Sequence, residues 1–420
     1  MKKAIVENNM ARIVMKFGGT SVANIDCIRS AALHVKREVD RGQEVAMVVS
    51  AMSGETDRLA ELCRQVTSID NARERDVVIS TGEQVSSGLM VLALQSLGIQ
   101  AISLQGWQIP IMTDSLHGMA RICRVDEKKI VTHLKKKQVV VITGFQGLSH
   151  DNSVTTLGRG GSDTSAVAIA AAIKADRCDI YTDVCGIYTT DPRIEPKAHL
   201  MKKISFEEML EMSSLGAKVM QVRSVELAML YKMCLFVRSS FEDHGQQEQL
   251  GTLICSGEDI MEKKVITGIA YTKDEAQISL RRLRDHPGIS ASIFSPLAEA
   301  HINIDMIIQN VSEDGQYVDI TFTTPSSSLE KALAVLSDNK ENIGYDVIQH
   351  EDNLVKISAI GIGMQSYAGV ASAFFLCLAE KGINIKAITT SEIKISVLID
   401  SAYTELAVRS LHSCYGLDVQ

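Results

Sequence analysis

Two stretches in the last third of the chain, "PGISASIFSPLAEAHINIDMI" from Pro287 and "AGVASAFFLCLAEKGINIKAI" from Ala368, align without a gap. The pairs Leu297/Leu378, Ala298/Ala379, Glu299/Glu380, Ile302/Ile383, Asn303/Asn384 and Ile304/Ile385 match at one constant offset. A repeat of this kind means that one supersecondary unit is used twice. Each copy reads as a strand, a glycine turn, a helix and a second strand opening at Ile-Asn-Ile. The first copy continues through "YVDITFT", a helix over Leu329–Ser337 and "YDVIQH". The second runs through "IKISVLI" and a helix over Tyr403–Cys414 and has no fourth strand. An unassigned strand, "VITGIAYT" over Val265–Thr272, precedes the first copy, and we expect it to complete the second unit.

Upstream, the texture differs. Residues 12–255 alternate β-rich runs such as "RIVMKF", "EVAMVVSAM", "AISLQG", "VVVITGFQG", "CDIYTDV" and "LFVRSS" with helical patterns over 25–41, 82–97 and 160–175. Such alternation predicts an α/β domain around a largely parallel sheet, whose ligands gather at the carboxyl ends of the strands. The boundaries are therefore a loose tail over residues 1–11, an α/β domain over 12–255 and a polar linker over 256–264. The strand over 265–272 and two modules over 273–350 and 351–420 follow.

Bulk properties exclude some classes. A net charge of −8 argues against a broad nucleic-acid surface. The basic run Lys135–Lys137 reads as a helix end before the strand Val139–Thr143. Nine scattered cysteines without a CxxC pair suggest reduced thiols and a cytoplasmic protein. No apolar run reads as a membrane span and none as a signal peptide, so no membrane association is expected.

Five strings carry chemistry: "KFGGTS" (16–21), "SAMSGETD" (50–57), "TGEQ" (81–84), "TTLGRGGSDT" (155–164) and "YTDVCGIYTTDPR" (181–193). Gly18 and Gly19 after a strand let backbone amides approach a polyanion, and Lys16 beside them suits a transferred phosphoryl group. The turn Gly158–Gly161 opens a helix as phosphate loops do, yet it matches neither a P-loop nor a dinucleotide fingerprint. Its Arg159 has the planar fork that a carboxylate wants. Glu83 is an anion for an ammonium group, or merely a favourable charge at a helix start. Thr56 is a ligand or a helix cap.

Together these strings resemble the aspartate kinases of the amino-acid kinase family, and the repeat resembles a pair of ACT domains. The resemblance covers nearly the whole chain. It implies an amino-acid kinase fold followed by two ferredoxin-like βαββαβ modules. It also implies transfer of the γ-phosphoryl group of ATP, supplied with Mg²⁺, to L-aspartate, opening the route to lysine, threonine, methionine and diaminopimelate. In that family's pattern Lys16 and Asp163 are catalytic, while Ser50, Thr56, Glu83, Arg159, Gly160 and Ser162 bind aspartate. Lys16, Gly18, Gly19, Thr20, Thr182, Asp183, Tyr188, Arg193, Lys218 and Val219 bind ATP. Asp285, Gly288, Asn303, Ile304, Asp305 and Gln309 form an effector site for lysine, threonine or both. The metal comes with the nucleotide, so no protein ligand for it is named. Pairing of ACT sheets implies a homodimer or larger oligomer. In the second module "SYAGV" (366–370) departs from the family's Ser-His-Pro-Gly, and Lys386 stands where the first copy has Asp305. The two sites therefore need not bind the same ligand. Another amino-acid kinase, such as a glutamate 5-kinase, and a catalytically silent sensor on the same fold are the alternatives.

Overall fold

The computed structural model describes residues 11–69, 71–216, 219–241, 251–260, 265–313 and 315–419. The chain forms two compact units. The first comprises residues 1–187, 200–213 and 218–262, and the second residues 188–199, 214–217 and 263–420.

The first unit is built on an eight-stranded sheet. Its centre is parallel: Arg12–Phe17 lies between Glu44–Val49 and Arg177–Thr182, and Val139–Thr143 follows beyond Glu44–Val49. Strands covered on both faces read as continuous apolar runs, and "IVMKF", "VAMVV" and "VVVIT" are buried at every position. One break in parallel order comes at Leu235–Ser239, which pairs antiparallel with Thr252–Cys255. Helix Ile25–Asp40 packs Ile28, Ala31, Ala32 and Val35 on the sheet, and the Asn24 side chain caps it by accepting from the Cys27 amide. Helix Gly161–Ala172 is buried from Gly161 through Ala170, which its run of Ala, Ser, Thr and Gly permits by keeping the helix thin.

Helices Ala72–Ile79 and Thr81–Ser96 run almost continuously, and together they are long and apolar enough to match a membrane span by composition. Half of that apolar window is buried in the unit, and it carries the buried Glu83, Ser86 and Ser87, so it is a core helix pair. A small second sheet, Ile111–Thr113, Ile122–Val125, Gln146–Leu148 and Val154–Thr156, was not legible in the sequence.

The second unit is one six-stranded antiparallel sheet with two large apolar cores and a small third cluster of Met306, Leu354, Ala387 and Leu398 among the described residues. Residues Gly268–Thr272 pair with Lys356–Ile360, the first strand of the second copy. This segment is not a separate strand, however. It runs unbroken into the first copy as Gly268–Arg284, and Val347–Ile360 likewise spans both copies. Module borders at 272/273 and 350/351 therefore fall inside continuous strands. The α/β domain is not contiguous over 12–255 either: Tyr188–His199 belongs to the second unit. There the Ile269 amide donates to the Thr189 carbonyl at 2.8 Å, the Arg409 side chain donates to the Ile194 carbonyl, and Ile194 sits in the second module's core.

Candidate active site

The central parallel strands end side by side, and backbone hydrogen bonds tie together the turns that leave them. The Ser50 amide donates to Phe17 at 3.1 Å, Gly144 to Val49 at 2.9 Å and Gly18 to Tyr181 at 3.2 Å. Glycine is needed here for close approach. A Cβ on Gly18 would lie 3.2 Å from the Lys16 Nζ, and one on Gly19 would lie 3.1 Å from the Ala51 carbonyl oxygen.

Lys16 sits on the buried centre of the sheet and is only 8 % exposed. An ammonium is costly there without a partner. The partner is Asp163, whose Oδ1 lies 2.6 Å from Nζ. Asp163 occupies the first turn of helix Gly161–Ala172, where the helix end favours an anion. Gly160 caps that helix in the left-handed region (φ 67°), and a Cβ there would overlap the Gln221 side chain. Ser162 packs tightly on Gly144.

Glu83 is buried in the first turn of helix Thr81–Ser96. Its Oε1 accepts the Ala51 amide at 3.0 Å, while Oε2 is buried with no hydrogen-bond partner. Burial pushes its carboxyl up to about 8, against the pull of the amides of Ala51 and of Glu83 itself.

Ser50 is half-buried at its strand end, and Thr56 is the second residue of helix Glu55–Val66, so it is not the cap, which is Gly54. Arg159 and Thr20 are exposed on their glycine turns, and the Thr182 hydroxyl donates to Asp183 at 3.1 Å. Tyr188 and Arg193 lie in the second unit, where Arg193 forks onto both oxygens of Asp191. Val219 is half-buried in a turn, and Lys218 lies outside the described residues.

Sequence reading missed several polar residues of this unit. Gln146 is fully buried; it donates to the Ser80 carbonyl at 2.6 Å and accepts from the Gly106 amide and the Thr143 hydroxyl. It thereby fixes the residue just ahead of the Glu83 helix. Asp76 and Arg223 were missed as well. Asp76 closes the charged string "RERD" (73–76), which reads as a solvated helix face and carries no local signal of burial.

In the second unit, Asp285, His286, Gly288, Ser290 and Gln309 line a shallow depression at the start of helix Ile289–Glu299. Gly288 is left-handed there (φ 101°). The Asn303 carbonyl accepts the Thr324 hydroxyl, and Ile304 packs on the first module's core. Asp305 does not line this depression. It pairs with the buried ammonium of Lys356, which also lies 3.1 Å from Glu275. Burial alone would pull Lys356 down, but its two carboxylate neighbours outweigh it and raise it.

Comparison with known families agrees with this construction. The amino acid kinase family model matches residues 11–239, and ACT domain models match 277–341 and 357–415. An aspartate kinase of Pseudomonas putida is 49 % identical over 97 % of this chain and 98 % of its own. The chain belongs to the aspartate kinases of the amino acid kinase family. An aspartokinase of Helicobacter pylori is 48 % identical over 97 % of this kinase and 99 % of itself. Among solved structures, E. coli aspartokinase III in complex with aspartate and ADP (R-state) superposes with a TM-score of 0.78 at 25 % identity, covering 96 % of this kinase and 99 % of that chain. The same enzyme in complex with lysine and aspartate (T-state) gives 0.76 at 26 % identity, with the same coverage.

Proposed function

We propose that this kinase phosphorylates the side-chain carboxylate of L-aspartate with MgATP as follows. The observation that carries the reading is the buried Lys16–Asp163 pair beside the turn of Gly18 and Gly19. The β-carboxylate of aspartate ordinarily titrates near pH ~3.9 and is ionised at neutral pH, so it attacks the γ-phosphorus without a general base. A P–O bond forms to the carboxylate, the bond to ADP breaks, and the products are 4-phospho-L-aspartate and ADP. Catalysis then reduces to positioning and charge neutralisation.

Lys16 neutralises charge on the transferring phosphoryl group, and Asp163 holds its Nζ in place. The amides of Gly18, Gly19 and Thr20 cradle phosphate oxygens. Arg159 grips the α-carboxylate of aspartate, with Gly160 and Ser162 presenting the turn to it. The unpartnered Oε2 of Glu83 receives the α-ammonium, and Ser50 and Thr56 complete the aspartate site. Thr182, Asp183, Tyr188, Arg193, Lys218 and Val219 serve the nucleotide, which would bring Mg²⁺ with it to help neutralise its phosphates. The depression at Asp285, Gly288 and Gln309 receives an amino-acid effector, lysine or threonine, and Asn303, Ile304 and Asp305 take part in its recognition. The exposed edge strand Ile307–Val311 suits pairing with a second copy. Nine cysteines, all of them free thiols, fit a cytoplasmic setting.

Incubating the protein with MgATP, aspartate and hydroxylamine tests the reaction. Aspartyl hydroxamate is expected. Hydroxamate from glutamate alone would assign a different amino-acid kinase, and none from folded protein would leave a sensor.

A further inference from the structure

The turn that carries Arg159 is short, glycine-rich and exposed at its tip, and its root is held by two charged side chains that the reaction does not otherwise use. Asp76, on helix Ala72–Ile79, is fully buried. Its Oδ1 accepts the Thr156 hydroxyl at 2.6 Å. Its Oδ2 accepts the Thr156 amide at 3.0 Å and the Gly118 amide at 2.9 Å, with His117 Nδ1 at 3.1 Å. From the other side comes Arg223, on helix Val222–Tyr231. It donates from Nη1 to the Leu157 carbonyl at 3.0 Å and from Nη2 to the Ala120 carbonyl at 2.6 Å.

These contacts close on one another. The Ala120 amide donates to the Thr156 carbonyl at 2.9 Å, and a Cβ on Gly158 would lie 3.1 Å from the Gly118 carbonyl oxygen. The loop 117–120 and the root 156–158 are thus bound together, and the acid and the guanidinium each hold both segments. A fully buried charge such as Asp76 costs stability unless it is well satisfied, and Arg223 is half-buried beside it. What the charges provide is direction. Asp76 receives donors from both segments, and Arg223 gives its two donors to two carbonyls that no single-donor side chain could hold together.

We infer that Asp76 and Arg223 are positioning residues that fix the root of the glycine turn and so aim Arg159 at the aspartate α-carboxylate. This rests on the assignment of Arg159 to that carboxylate. Small misplacement of a clamp is costly, on the order of 100-fold for about 1 Å.

The test is a double-mutant cycle with the full-length enzyme, reading KM for aspartate, KM for ATP and kcat in the hydroxamate assay. Arg223→Met is expected to raise KM for aspartate about tenfold or more while KM for ATP stays within about twofold. Arg223→Lys, which keeps the charge and one donor direction, should fall between the two. In an Arg159→Ala background the effect of Arg223→Met on aspartate should vanish, because its target is gone. If it persists in full there, or if ATP and aspartate suffer alike, the positioning inference is wrong although Arg159 binds substrate. If Arg159→Ala itself leaves KM for aspartate unchanged, the substrate assignment fails first. Should Arg223→Met not fold, Thr156→Val, which removes only the hydroxyl held by Asp76, is put through the same cycle with the same criteria.

Discussion

The Lys16 ammonium and the Asp163 carboxylate form a buried ion pair, 2.6 Å apart, that joins the central strand to the first turn of the most buried helix. Breaking such a pair leaves one charge buried and alone, at a cost of about 3–5 kcal/mol. Asp163→Asn should therefore lower kcat by about 100-fold or more with a smaller change in KM for aspartate, since the lysine would lose its orientation. Steady-state kinetics decide it. An unchanged kcat would mean that the pair only holds the fold together. Thermal melting of the variant reports the stability loss separately.

If Glu83 receives the α-ammonium as proposed, its burial makes aspartate binding sensitive to pH. In the ligand-free fold its carboxyl titrates at about 8 because it is buried. Below that pH it is neutral and must lose its proton to meet an ammonium. Aspartate binding should then release a proton, and the apparent affinity should improve roughly tenfold per pH unit up to about 8 and level off above. Calorimetry in two buffers of different ionisation enthalpy, at pH 7, measures the release directly. Stability runs the other way. Between about 4.5 and 8 the unfolded chain has given up this proton while the fold retains it, so the residue's contribution falls as pH rises. Glu83→Gln should abolish both trends, and aspartate affinity that stays flat from pH 6.5 to 8.5 in the unaltered enzyme would remove Glu83 from the ammonium site.

Much of this was legible in the residues for identifiable reasons. The parallel core showed itself because doubly buried strands are continuous apolar runs, and the glycine turns because they interrupt them. The repeat was legible because six pairs match at one offset. The fusion of its strands was not. The expected module border at 350/351 falls in the polar stretch His350–Asn353, yet Val347–Ile360 passes through it as one strand, irregular in register and with Asn353 left-handed (φ 58°). The small sheet escaped because strands of three or four residues are too short to display a period. Asp76 and Arg223 escaped because nothing in their local strings shows that they meet at the glycine turn, residues 80 and 66 positions away in the chain.

Arg159 is exposed at the tip of its turn, so its removal should cost little stability, within about 0.5 kcal/mol. Arg159→Ala is expected to raise KM for aspartate about 100-fold while ATP binding, measured by nucleotide titration, is unchanged. A defect confined to ATP would reassign the arginine to phosphate.

Asp305 is held in an ion pair of the second unit and does not line the depression at Asp285 and Gln309. The carboxylate is half exposed and pairs with Lys356, which Glu275 also holds in a buried site. In the aligned repeat Asp305 stands opposite Lys386, so this acid of the first copy is a lysine in the second. Asp305→Ala removes one of two carboxylates from Lys356 and leaves the better buried partner, so the module should remain folded. If Asp305 also serves the effector, inhibition by lysine or threonine should weaken at least tenfold while activity without effector is retained. Replacing Lys356 by Met instead strands Glu275 and should destabilise the module by about 3–5 kcal/mol. Inhibition curves for Asp305→Ala that overlay those of the unaltered enzyme would restrict Asp305 to its structural pair and leave Asp285 and Gln309 to hold the effector.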